Sequence, residues 1–219
     1  MVECANVITK AIEWAVEKGV DIISMSFGWV KEAKVDGKDV ISDAILAARL
    51  KRKILFFAAA SNYGASRSEL FPAQHEIVSS IRATDTFGTP AFFSSPPGNS
   101  IAFGTLGLDV PCARLSSTQD EISMSGTSMA APIAAGIAAL VLGFARLQAR
   151  ADGKAESSDH WDKLWEKKYM EQMFEEISNS TWVAGLRFLD PDLFVKSQVK
   201  DADRIRMMEN AIQPPKKSS

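Results

Sequence analysis

The stretch SGTSMAAP, residues 125 to 132, places three hydroxyl side chains and a glycine directly before a long apolar segment. Ser128 stands where a loop turns into a helix, beside backbone N–H groups that have no partner within the helix and at the positive end of its dipole. A serine hydroxyl is a poor nucleophile unless a base lies within hydrogen-bond reach and donors face the oxygen that becomes negative. A helix start supplies such donors. Gly126 lets the main chain bend and leaves room for a substrate backbone. Pro132, tolerated only near a first turn, puts the helix start close to Ser128. A second polar group, Asn62, follows the apolar run ILFFAAAS and precedes Tyr63-Gly64, so its amide projects over the end of a strand. Read in isolation, Ser125, Thr127 or Ser128 is equally an N-cap, and Asn-x-Gly is equally a turn.

The elements around these residues follow from periodicity. ANVITKAIEWAVEKGV sets Ile8, Ile12, Ala15 and Val16 on one helical face, with Gly19 as a C-cap. VDIISMSFG reads as a buried strand ended by Gly28, DAILAARLKRK as a helix, and ILFFAAASNYG as a second buried strand opening into a turn. Helix, strand, helix, strand with short connections implies parallel strands and a three-layer α/β fold. In such sheets the ligand lies beyond the carboxyl ends of the strands, here Ser26-Phe27-Gly28 and Ser61-Asn62. Residues 71 to 118 read as loops and short strands, EIVSSIRATD and GTPAFFSS among them. An apolar helix is expected from about Ser128 to Leu147. Residues 1–150 form one unit on this reading, and 151–219 a polar linker, an amphipathic helix bearing Trp161, Leu164, Trp165, Met173, Phe174 and Ile177, and a tail.

Composition narrows the function classes. The 219 residues are 46% hydrophobic and 24% charged, with 25 basic and 27 acidic side chains interspersed. That is a globular balance with no basic stripe for nucleic acid or anionic lipid. Met129 to Ala145 is uncharged and reaches the length of about 17 residues needed to span a bilayer, but it is built mostly of alanine and contains Pro132, Gly136 and Gly143, which suits a closely packed core helix better. No signal peptide is legible at the N-terminus, and the compartment is undecided. Cys4 and Cys112, far apart and in no metal-like spacing, are either two reduced thiols or one disulfide.

SGTSMAAPIAAGIAALVL resembles the nucleophile segment of the subtilisin-like serine proteases. IEWAVEKGVDIISMSFG, FFAAASNYGA, and the connecting pieces FPAQHEIVSSIRATD, AFFSSPPG and LDVPCAR resemble further segments of that family in its order, over about residues 6 to 147. The resemblance implies a mostly parallel three-layer sheet and peptide-bond hydrolysis with Ser128 as nucleophile. It makes Asn62 and the Ser128 N–H the oxyanion donors. Ser26, Phe27 and Gly28 become the edge on which an extended polypeptide substrate adds as a strand. Ala59, Ala60 and Ser61 become the facing wall of the S1 pocket, with Gly126 and Thr127 flanking the nucleophile. Ser61 stands where the family most often has glycine, which implies a shallower or more polar pocket. No cofactor is implied. The family often binds calcium, but no calcium loop is identifiable here.

The resemblance also has a gap. In this family the triad runs Asp, His, Ser, and the first two segments precede the strand that here starts near Val20. Only 19 residues lie before it, with no Asp-Thr-Gly and no His-Gly-Thr. Asp85-Thr86-Phe87-Gly88 comes in the wrong order, and His75 and His160 read as ordinary surface histidines. The N-terminal strands of the fold are therefore expected to be missing, leaving an open edge at Asp21–Ser26 or Ile54–Ala60. The missing N-terminal part of the domain is the implied partner, and the chain alone is expected to be inactive. The other reading of the same residues is a pseudoprotease or binding remnant of the fold.

Overall fold

The computed structural model describes residues 2–32, 34–66, 69–97, 101–114, 117–151, 160–181 and 185–214. Helix α1 (Val2–Lys18) buries Ala5, Ile12 and Val16 along one face. It stops at Gly19, whose φ of +74° turns the chain so that Val20 N–H closes on Ala15 O at 3.3 Å. Strand β1 (Ile22–Met25), helix α2 (Val40–Lys51) and strand β2 (Leu55–Ala59) follow as the periodicity suggests. Next come β3 (Val78–Thr84), β4 (Ala102–Leu106) and an antiparallel pair, β5 (Val110–Arg114) with β6 (Ser117–Met124). Helix α3 (Thr127–Ala151) is the long apolar segment.

The main sheet runs β1-β2-β3-β4 in parallel, with Met25 opposite Ala58 and Ala59 opposite Ile81. Side chains alternate across it. Phe56 and Ala58 face a core shared with α1 and α2, and Leu55, Phe57 and Ala59 face the core that contains α3. Three layers result. Ala130, Ala134, Ala138 and Ala145 are fully buried, so small side chains let the α3 axis lie close beneath β1 to β4. Strand β1 forms one end of the sheet, and among the described residues no strand pairs with its outer edge.

Two expectations need correction. GTPAFFSS forms no strand beyond a single bridge between Thr84 and Pro90. Beyond residue 151 the expected single amphipathic helix is broken: Leu164 and Trp165 lie in a 3-10 turn (Asp162–Trp165) with Trp161 at its N-cap, and of the expected stripe only Met173 and Phe174 lie on the helix that follows, α4 (Lys167–Glu176). The same region adds β7 (Ser178–Ser180), β8 (Leu186–Leu189), α5 (Asp192–Val195) and α6 (Asp201–Ala211), none of which periodicity indicated. Strand β8 joins the main sheet parallel to β4, with β7 antiparallel outside it. Phe174 of α4 packs on Phe57 and Phe103, with ring centroids 5.8 and 5.5 Å apart. The expected linker and tail lie largely outside the described residues. Cys4 and Cys112 are free thiols.

Candidate active site

Helix α3 runs back beneath the sheet, so its first turn lies at the carboxyl ends of β1 and β2. There the chain brings Ser26, Asn62, Thr127 and Ser128 together from three separate segments. The Asn62 Oδ1 accepts hydrogen bonds from Thr127 N–H and from Thr127 Oγ1, both at 2.9 Å. A backbone N–H can only donate, so this contact fixes which way the amide faces and leaves Nδ2 on the opposite side, toward Gly126. A Cβ on Gly126 would stand 3.2 Å from that Nδ2, a tight contact to which the amide would have to yield by a few tenths of an ångström. Asn62 is exposed, whereas Thr127 is 1% exposed; the threonine thus anchors the amide from beneath and does not itself face solvent.

Ser128 makes a reciprocal pair with Ser26. Its Oγ donates to the Ser26 carbonyl at 3.3 Å, and the Ser26 Oγ donates to the Ser128 carbonyl at 2.8 Å. The second bond has a local cause. In an α-helix the Ser128 carbonyl would accept from the N–H of residue 132, which is proline and has none. The Ser26 hydroxyl supplies the missing donor and ties the end of β1 to the first turn of α3. At the outer rim, Phe27 is exposed and its ring lies 5.4 Å from that of Trp29.

The expected facing wall is buried. Ala59, Ala60 and Ser61 are 7%, 0% and 2% exposed. The Ala60 N–H donates to Ile81 O and its carbonyl accepts from Leu70 N–H. The Ser61 hydroxyl accepts from Tyr63 N–H at 3.2 Å, so it is turned onto its own loop. Leu70, which no motif singled out, lies between Ala60 and Gly28.

Neither histidine of the chain is near Ser128. His75 precedes β3 and so sits at the opposite, amino end of the parallel strands; burial lowers its pKa, outweighing the pull of Glu76 and Glu32, and its Nδ1 accepts from Ile77 N–H. His160 stacks edge-on against Trp161 at 4.5 Å. It comes after α3 in the sequence, and the far end of that helix is at the amino end of β1, where Arg146 and Trp165 both donate to Asp21. The Asp85 carboxylate accepts from Phe87 and Thr89 N–H and shapes its own turn. Among the described residues no cluster of three or more His, Cys, Asp or Glu side chains could hold a metal.

A match to the model of the subtilase family of peptidases spans residues 4–158. The chain belongs to the subtilase family. Subtilisin DY of Bacillus licheniformis is 35% identical over 140 residues, which is 63% of this chain and 48% of that protein. A thermostable alkaline protease of Halalkalibacterium halodurans is 34% identical over 134 residues, 61% of this chain and 34% of its own length. This subtilase chain thus spans half or less of the length of these relatives. Among solved structures, the patellamide maturation protease PatA shares 25% identity over 85% of this chain and 65% of its own, with a TM-score of 0.64. The prenylagaramide maturation protease PagA shares the fold at 23% identity and a TM-score of 0.64, over 93% of this chain and 67% of its own.

Proposed function

We propose that this subtilase chain carries the nucleophile half of a serine endopeptidase site. Ser128 attacks the peptide carbonyl, and Asn62 Nδ2 with the Ser128 N–H stabilises the oxyanion. The base and its supporting carboxylate come from polypeptide outside these 219 residues. The observation that carries this reading is the orientation of Asn62. Its oxygen is committed to Thr127, which leaves the amide hydrogens as donors on the Gly126 side, where a Cβ would stand 3.2 Å from Nδ2 and 3.7 Å from the Ser128 backbone nitrogen, at a helix N-terminus where developing negative charge is favoured. The substrate is an extended polypeptide laid along Ser26-Phe27-Gly28.

A fluorophosphonate probe tests it. The 219-residue chain should label at Ser128 slowly or not at all, since a subtilisin-type site without its histidine loses about two millionfold in turnover. The protein translated with its upstream sequence should label stoichiometrically and cleave casein. An upstream sequence with an in-frame stop, or a full protein that fails to label, refutes this reading. Such a result favours the alternative, a peptide-binding remnant of the fold, which is supported by the position of both histidines away from Ser128.

A further inference from the structure

The ends of β1 and β2 part beyond the Met25–Ala58 pair, and the gap between them is not empty. Residues 69–71 are wedged into it. Trp29 and Phe71 exchange two backbone hydrogen bonds of 2.8 Å on one side, and Leu70 N–H donates to Ala60 O at 2.8 Å on the other. The wedge is also held from behind: Glu69 pairs at 2.5 Å with Arg82, a guanidinium that is almost wholly buried. Leu70 is half-buried. A Cβ placed on Gly28 would come within 2.8 Å of its Cβ and 3.3 Å of its Cδ1, so the leucine lies directly against the glycine face.

This position bears on which peptides fit. If Ser128 and Asn62 bracket the reacting carbonyl, a substrate strand along Ser26-Phe27-Gly28 sends the side chain next to that carbonyl into the gap between the two strand ends. The Leu70 side chain occupies its floor. We propose that Leu70 limits the depth of this slot and selects substrates with glycine, alanine or serine at that position over those with large aliphatic or aromatic side chains. The inference rests on the peptidase reading of Ser128 and adds to it the size class of the recognised residue.

Titration of the isotopically labelled 219-residue chain with N-acetyl tripeptide amides ending in alanine or phenylalanine, followed through the Gly28, Asn62 and Ser128 resonances, reads the preference directly. The alanine peptide should bind at least about tenfold more tightly, the scale at which hydrophobic pockets discriminate size. Leu70→Gly should bring the ratio to one or reverse it, and Leu70→Ala should fall between. If the glycine variant loses its native spectrum, the wild-type ratio and the alanine variant decide. Equal binding of both peptides by the wild-type chain, or a ratio that neither variant moves, overturns the role of Leu70 and leaves the peptidase reading intact. If neither peptide perturbs Asn62 or Ser128 in any variant, both fall.

Discussion

Pro132 deprives the Ser128 carbonyl of its helical partner, and Ser26, just past β1 and 102 residues earlier in the chain, replaces it. The bond is solvent-accessible, so water competes for the carbonyl and the net contribution belongs near the low end of the hydrogen-bond range. Ser26→Ala should destabilise the chain by about 0.5–1 kcal/mol in urea unfolding. The same substitution in a Pro132→Ala background should cost almost nothing, because an alanine at that position restores the N–H; equal costs in both backgrounds would disprove the link. Asn62 separates stability from chemistry in a similar way. Asn62→Ala removes an acceptor from the start of α3 and should cost about 1 kcal/mol. Asn62→Asp keeps that acceptor and should retain most of the stability. In the proposed complete enzyme, however, it loses the Nδ2 donor, and turnover should fall about a hundredfold to a thousandfold, a magnitude taken from subtilisin.

At the scale of elements, α4 is fastened to the sheet by a carboxyl group. Glu171 accepts from the Ser79 hydroxyl at 2.9 Å, and burial raises its pKa against the opposing pull of Lys167. A carboxyl whose pKa is higher in the folded than in the unfolded state binds more protons when folded. Its contribution is therefore complete below the ordinary glutamate range and is lost as pH rises through the raised value. Glu171→Gln should flatten that part of the stability profile, measured by denaturant unfolding from about pH 4 to about pH 7; an unchanged slope would show that Glu171 does not titrate differently on folding. Elements written in one continuous pattern were legible beforehand: α1, β1, α2, β2 and α3 each carry their own periodicity. β7 and β8 do not, since Ser178–Ser180 is wholly polar and Leu186–Leu189 is four residues long. β8 is a strand because β4, far earlier in the chain, offers an edge to pair with, and β7 because β8 then offers its own; a cause of that kind leaves no local mark. The proposed site divides along the same line. Ser128 and Asn62 could be found from motif and order, while Thr127 behind Asn62, Ser26 on the Ser128 carbonyl and Leu70 in the slot depend on segments that meet only in the fold.

The whole molecule raises the question of whether residues 160–214 form an appendage or part of the same cooperative unit. The packing favours one unit. Phe174 is fully buried between Phe57 of β2 and Phe103 of β4, and Leu189, Phe194 and Met208 lie in the same cluster as the α3 alanines. Without them the sheet would lose cover on that face toward its far end, since α3 spreads over β1 to β4 while α4 lies against β3, β7 and β8. Phe174→Ala removes a ring at the junction and should cost about 3–5 kcal/mol, a large part of the roughly 5–15 kcal/mol by which domains are stable. If the molecule is one unit, that loss lowers the urea midpoint by the same amount whether it is followed by fluorescence from the five tryptophans, which lie in both parts of the chain, or by hydrogen exchange at α3 and β2. If α3 and β2 keep their wild-type protection while the region after residue 160 opens early, the C-terminal part is a separately folding addition. In that case helix α3 does not depend on it, and a chain ending at Ala151 would hold Ser128 and Asn62 in the same geometry.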